Sequence, residues 1–292
     1  MLSLDAPILV TGVKGQLGYD VVKQLQMRGF KNVIGIDKEE LDLIDEEAVR
    51  AFVRNLHPQA IFHNAAWTAV DKAETCPELV YQINALAPKY LAEAAEEVGA
   101  KIVAISTDYV YSGTGVTPFC EKDPVGPTSV YGKTKFQGEE FVRLYPKHFI
   151  VRISWVFGIN GQNFIKTMLR LGQTHSELSV VSDQIGSPTY TVDLARLLVD
   201  MAQSEEYGTY NASNEGFTSW SDFAKAIFAE AKMNVEVHPV STEEYRQMNP
   251  NQAARPLNSR MSKDKLVKHG FLPLPSWQDA LKRYLKELEV LA

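Results

Sequence analysis

Pro7-Ile8-Leu9-Val10-Thr11-Gly12-Val13-Lys14-Gly15-Gln16-Leu17-Gly18 decides the fold class of this chain. A short apolar run stopped by a glycine predicts a buried strand. Tyr19-Asp20-Val21-Val22-Lys23-Gln24-Leu25 follows with helical periodicity. Between them Gly12, Gly15 and Gly18 stand in G-x-x-G-x-x-G spacing, one residue wider at its start than G-x-G-x-x-G. Glycines there permit a tight turn, let backbone N–H groups approach a pyrophosphate, and let the helix pack closely on the sheet. Set between a strand and a helix, the repeat predicts a dinucleotide-binding turn.

Outward from that turn the pattern repeats. Val33-Ile34-Gly35-Ile36-Asp37 is a second strand, and Asp37 falls about 20 residues beyond Gly18, where an acid takes ribose hydroxyls. A carboxylate there favours NAD over a 2′-phosphate, whereas the adjacent Lys38 keeps NADP open; a plain strand-end turn is the competing reading of Asp37. Asp42-Leu43 precedes a helix beginning near Asp45. Ala60-Ile61-Phe62-His63 is a third strand leading into Asn64-Ala65-Ala66-Trp67-Thr68, with His63 expected as a satisfied core histidine. Residues 77–98 read as one long helix, within which Asn84 needs a partner if buried. Lys101-Ile102-Val103-Ala104-Ile105-Ser106 is a fourth strand crowned by Thr107-Asp108-Tyr109, and Phe149-Ile150-Val151-Arg152-Ile153 is a fifth. This alternation predicts an α/β fold, a doubly wound parallel sheet with helices on both faces. Beyond Gly158 the pattern loosens. Helical stretches are expected near 163–172, 192–201, 220–231 and 276–288, a short strand at Ser179-Val180-Val181, and irregular chain at 183–189 and 250–256. The division expected is a dinucleotide-binding domain over 1–153, completed by a segment near 189–212, and a mainly substrate-binding part over 154–292.

Composition narrows the function. The chain has 292 residues, 45% hydrophobic and 23% charged, with a formal net charge of −6 and no basic tract, so a nucleic-acid partner is not expected. Two cysteines, Cys76 and Cys120, cannot build a disulfide framework and fit a reducing compartment. The first residues carry no basic n-region followed by an apolar stretch, and no apolar run reaches spanning length; neither a signal peptide nor a membrane partner is expected. The six histidines show no zinc-ligand spacing.

Tyr131-Gly132-Lys133-Thr134-Lys135 carries the chemistry. On a helix, Tyr131 and Lys135 share one face. A fixed positive charge beside a phenol favours the phenolate, so the expectation is a Tyr131 pKa drawn down toward neutrality, suiting the phenol to general acid-base work.

With the glycine turn, Thr107 and the Tyr131/Lys135 pair in this order, the chain resembles the extended short-chain dehydrogenase/reductase family over nearly its whole length. The resemblance is carried by Gly15-Gln16-Leu17-Gly18, residues 64–74, Ser106-Thr107-Asp108-Tyr109-Val110-Tyr111, Val130-Tyr131-Gly132-Lys133-Thr134-Lys135, Arg152-Ile153-Ser154-Trp155-Val156, residues 183–189 and Arg255-Pro256-Leu257-Asn258-Ser259-Arg260. It implies cytoplasmic reduction, by NADH or NADPH, of the C4 ketone of dTDP-4-dehydro-L-rhamnose to dTDP-L-rhamnose. Thr107, Tyr131 and Lys135 are then the catalytic residues. The implied cofactor set is Gly12, Gly15, Gln16, Leu17, Gly18, Asp37, Asp42, Leu43, Ala65, Ala66, Trp67 and Thr68 with Tyr131 and Lys135. Thr107, Asp108, Trp155, Arg255 and Arg260 would meet the nucleotide sugar, the two arginines at its pyrophosphate.

Two departures matter. Family dehydratases carry Thr-Asp-Glu on the fourth strand, whereas the third position here is Tyr109, which argues for reduction over elimination. Some relatives dimerise around magnesium held partly by a glutamate just after the glycine turn. Here that position is Asp20; no metal ligand is assigned, and either a monomer or a homodimer is expected. A reductase or epimerase of another 4-keto nucleotide sugar, and a non-catalytic regulatory subunit on the same fold, stay open at this point.

Overall fold

The computed structural model describes residues 1–250 and 252–290; Asn251, inside the stretch expected to be irregular, lies outside the described residues, as do Leu291 and Ala292. Six parallel strands form the central sheet: β1 (Ile8–Thr11), β2 (Val33–Ile36), β3 (Ala60–His63), β4 (Lys101–Thr107), β5 (His148–Ile153) and, at the edge beside β5, Gly208–Asn211. β1 lies between β2 and β3, with β4 and β5 beyond β3. The crossovers therefore turn opposite ways from β1, and a crevice opens at the carboxyl ends of β1 and β3.

Alternation along each strand distributes the core. Ile8, Val10, Phe62, Val103 and Phe149 pack on one face with Leu17, Val21 and Leu25 of α1 (Gln16–Met27) and with Leu194, Leu197 and Leu198 of the helix Thr191–Gln203. Leu9, Ile61, Ile102 and Ile150 point to the other face, against Val49 and Val53 of α2 (Glu46–Leu56) and Leu91 and Ala95. Both faces are thus covered, as a parallel sheet requires. The Asp45 side chain caps α2 by accepting from the Ala48 N–H at 3.0 Å.

The stretch 77–98 is not one α-helix. It runs as Pro77–Tyr81, a π-helical turn Gln82–Leu86, and Ala87–Val98. Pro88 has no N–H to return to the Asn84 carbonyl, and the Ala87 N–H donates to Gln82 instead. Asn84 is buried and finds its partners in the Trp67 backbone, accepting from its N–H at 2.9 Å and donating to its carbonyl at 3.1 Å. Gly138 of the helix Val130–Arg143 packs so close that a Cβ there would strike the freed Asn84 carbonyl. The widened turn is the seat of the Tyr131 helix.

A second core gathers Phe157, Ile165, Tyr190, Phe223, Phe228, Trp277 and Tyr284 from the C-terminal part. Helices at Phe164–Gly172, Trp220–Glu230 and Trp277–Glu287 surround a parallel pair, Glu177–Val181 with Glu236–Val240. The expected loop 183–189 carries two-residue strands, Ile185–Gly186 paired with Thr218–Ser219 and Thr189–Tyr190 paired with Val156–Phe157. Helices Thr242–Met248 and Asp264–Lys268 were not expected. Among the described residues no helix is long and apolar enough to cross a membrane.

Candidate active site

A cavity of 720 Å³ opens at the carboxyl ends of β1, β3, β4 and β5. Gly12, Gly15, Gln16, Leu17, Gly18, Asp37, Ala65, Ala66 and Thr68 line one end, and Thr107, Asp108, Tyr131, Lys135 and Trp155 the other. A second cavity of 350 Å³ shares Tyr109, Trp155 and Trp220 with it and extends among Phe164, Met168, Leu178, Val181 and Arg255. A third, of 140 Å³, lies beside Asp37, Asp42, Leu43, Ala65 and Ala66.

The glycine turn is a cradle that side chains would fill. Gly12 has φ 70°, and a Cβ on it would lie 2.8 Å from the Ala65 nitrogen. A Cβ on Gly18 would land on the Gly12 carbonyl oxygen. Backbone N–H groups at the start of α1 are therefore open to an anion, and the helix dipole favours one there. Asp37 closes the far end, its carboxylate accepting from the Lys14 N–H at 2.8 Å. These residues fit a dinucleotide. Gly18→Ala is expected to weaken NADPH binding by about tenfold or more, because the turn must open to admit the methyl. Fluorescence titration measures it, and an unchanged affinity would show that the turn yields cheaply.

At the other end, the helix Val130–Arg143 and the end of β4 bring Tyr131, Lys135 and Thr107 together. Ser129 caps the helix, accepting from the Gly132 N–H at 3.1 Å, and Gly132 leaves no space for a Cβ beneath the Tyr109 carbonyl. The Tyr131 phenol lies beside the Thr107 hydroxyl, which opposes the rise of its pKa. Thr107 also donates to Asp108 at 3.0 Å, while the second Asp108 oxygen is buried without a partner among the described residues. Burial pushes Asp108 up to about 6.

The expected depression of the Tyr131 pKa is corrected by the structure. Enclosure of the phenol drives it up, well above its ordinary range, against the opposing influence of the Thr107 hydroxyl. Lys135 is not among the groups that set it; its Nζ donates to the Ile105 carbonyl at 2.6 Å. Lys135 is itself pushed down to about 8 by burial, opposed by the Glu139 carboxylate one turn further on. Glu139 is buried, takes two hydrogen bonds from buried Arg152, at 2.9 and 2.7 Å, and accepts from Ser106.

Two other candidates stand outside the cavities. Trp67 lines none of the three cavities; its indole N–H donates to the Ala69 carbonyl at 3.1 Å, and its contribution is the backbone anchor to Asn84. Arg260 lines none of them either, its guanidinium donating to Asn258 at 3.0 Å. Arg255 does line the second cavity. His63 is the core histidine expected, its Nδ1 3.0 Å from Thr11 Oγ1 and its pKa pushed to about 3 by burial and the nearby Lys135. Asp20 is buried against Thr191, and among the described residues no group of three or more His, Cys, Asp or Glu is arranged to hold a metal.

Trp220, like Gly161 and Gln162, is a member of the site that sequence reasoning missed. Its ring stacks on Trp155 at 3.6 Å and 12°. Trp155 is held at φ 49°, a region that bulky residues rarely adopt. The missing Cβ of Gly186 makes room for its indole.

Comparison with known proteins gives a consistent picture. Residues 6–290 match the RmlD substrate binding domain family. The chain is 42% identical to spore coat polysaccharide biosynthesis protein SpsK of Bacillus subtilis, covering 96% of this chain and 97% of that one. It resembles a crystal structure of a dTDP-4-dehydrorhamnose reductase from Clostridium acetobutylicum with TM-score 0.93 and 44% identity, over 97% of this chain and 99% of the other. A dTDP-4-dehydrorhamnose reductase from Bacillus anthracis, crystallised with NADP, superposes with TM-score 0.92 and 43% identity over the same shares.

Proposed function

Since the chain belongs to the RmlD substrate binding domain family, we infer that it is an NAD(P)H-dependent oxidoreductase reducing the C4 ketone of dTDP-4-dehydro-L-rhamnose to dTDP-L-rhamnose. The observation that carries this reading is the convergence of Thr107, Tyr131 and Lys135 on one cavity whose other end is the glycine cradle. It works in the cytoplasm, with the sheet-bearing residues 1–153 and 189–212 holding the cofactor and 154–292 mainly holding the sugar nucleotide.

A bound reduced nicotinamide supplies the hydride. The protein supplies position and a proton. Tyr131 donates its phenolic proton to the C4 oxygen as negative charge develops there, and its raised pKa keeps that proton in place at neutral pH. Thr107, beside the phenol, turns its hydroxyl proton from Asp108 to the same oxygen. Lys135 would hold the nicotinamide ribose when the cofactor is bound. Asp108 accepts from sugar hydroxyls through its unpartnered oxygen. Trp155 packs on the sugar, and Arg255 takes the diphosphate.

The direct test is loss of NADPH absorbance with dTDP-4-dehydro-L-rhamnose as substrate, run beside UDP-linked 4-keto sugars. Turnover of the dTDP sugar supports the reading, and turnover of only the UDP sugars rejects it.

The Asp108 role predicts a pH dependence. Its carboxylate is the acceptor, and its pKa is about 6, so protonation removes the acceptor as pH falls through that value. KM for the sugar is expected to rise severalfold between about pH 8 and about pH 5. In Asp108→Asn the profile over that window should be flat; if the variant keeps the wild-type rise, another group is responsible.

A further inference from the structure

Arg255 is not a free cation waiting for an anion. One of its terminal nitrogens lies 2.9 Å from each carboxylate oxygen of Asp71, and the other donates to the Tyr109 phenol at 3.1 Å. Asp71 stands in the short helix Val70–Ala73, whose first residue lines the larger cavity. It also accepts from the Ala253 N–H at 2.9 Å, so a single carboxylate fastens the 253–255 segment to the rim. The Arg255 side chain is 22% exposed and that of Asp71 48%. Tyr109, the third partner, lies where the two cavities meet, with its ring edge-on to Tyr131 at 5.5 Å.

The path of the substrate crosses this clasp. The reacting sugar belongs in the larger cavity, beside Tyr131, and the apolar second cavity offers Phe164, Met168 and Leu178 to a flat base. The group joining the two halves, a diphosphate, must then pass the junction marked by Tyr109 and Arg255. A diphosphate has more charge and more acceptor oxygens for a guanidinium than one carboxylate has. A half-exposed carboxylate is a weak competitor, because solvent screens its attraction.

We propose that Asp71 is a stand-in anion: it holds Arg255 poised in the free protein, and the substrate diphosphate displaces it. This rests on the reading of Arg255 as the diphosphate-binding residue. Asp71 is then a positioning residue that keeps a partly buried cation satisfied until substrate arrives, and it competes with the ligand for that cation.

Titration calorimetry with dTDP and with thymidine tests this on the full chain. Asp71→Asn keeps an oxygen for the Ala253 N–H and removes the competing charge. It is expected to tighten dTDP by about threefold or more and to leave thymidine, which has no phosphate, unchanged. In a background carrying Arg255→Ala, the same substitution should gain nothing. Weaker or unchanged dTDP binding in Asp71→Asn, with Arg255→Ala clearly impaired, would overturn the exchange and make Asp71 a fixed brace. Full dTDP affinity in Arg255→Ala would instead remove the diphosphate role of Arg255, and the exchange with it. A gain shared by thymidine would point to reshaping of the pocket and also overturn the proposal.

Discussion

Tyr131→Phe is expected to lower turnover by about a hundredfold or more while NADPH affinity stays close to that of the wild type. The substitution removes one oxygen from a ring that is otherwise fixed by its edge contact with Tyr109. Lys135 keeps its bond to the Ile105 carbonyl, and the glycine cradle is at the other end of the cavity. Ground-state binding of the cofactor thus loses little. What disappears is the proton delivered to the C4 oxygen, and Thr107 alone cannot replace it, because a threonine hydroxyl gives up its proton far less readily than a phenol. Burial keeps Tyr131 protonated throughout the neutral range, so the loss should be similar at every pH from about 6 to about 8. Steady-state rates and cofactor titration on the same preparation decide the matter. A variant retaining most of its turnover would take Tyr131 out of the acid role.

Glu139→Gln is expected to cost about 3–5 kcal/mol of stability. Arg152, 2% exposed on β5, would keep its charge and lose the carboxylate that satisfies it. What remains around its guanidinium, the Tyr111 hydroxyl at 2.9 Å and a long bond to the Glu121 carbonyl, is neutral. The loss would be read as a lowered urea midpoint with an unchanged slope. Replacing the pair together, Glu139→Gln with Arg152→Met, should recover much of the deficit, since no isolated charge is then left buried. If the single variant unfolds within about 1 kcal/mol of wild type, the pair is not the structural tie described. The same carboxylate is the charge that opposes the fall of the Lys135 pKa, so the variant reaches the site as well as the core.

The parts of this molecule that sequence could reveal are those whose causes are local. β1 to β5 are apolar runs with turn residues at their ends, and the glycine turn carries its function in its spacing. Thr107, Tyr131 and Lys135 were legible because helix phase puts the last two on one face and strand ends feed the crevice. The edge strand Gly208–Asn211 was not read as a strand, because Gly-Thr-Tyr-Asn has little apolar character and its conformation comes from pairing with β5. The π turn followed from Pro88 and the partner of Asn84, two facts joined only in three dimensions. Trp67 and Arg260 were named through the family resemblance, and their present partners, Ala69 and Asn258, are local contacts that the sequence does not display. The Tyr131 pKa was misjudged because a sequence shows the nearby lysine and not the desolvation that outweighs it. Trp220 has no signal at all, since its meaning lies in a stacking partner on another segment.

That stack also gives the protein an optical property. Of the four tryptophans, two lie face to face at 3.6 Å where the cavities meet, while Trp277 sits in the C-terminal core and Trp67 donates to the Ala69 carbonyl outside the three cavities. Indoles so close couple their strong transitions, so the pair at the mouth of the site is expected to add an exciton couplet to the far-ultraviolet circular dichroism of this protein. A ligand that shifts either ring is expected to change that couplet, so substrate arrival can be followed without an attached dye.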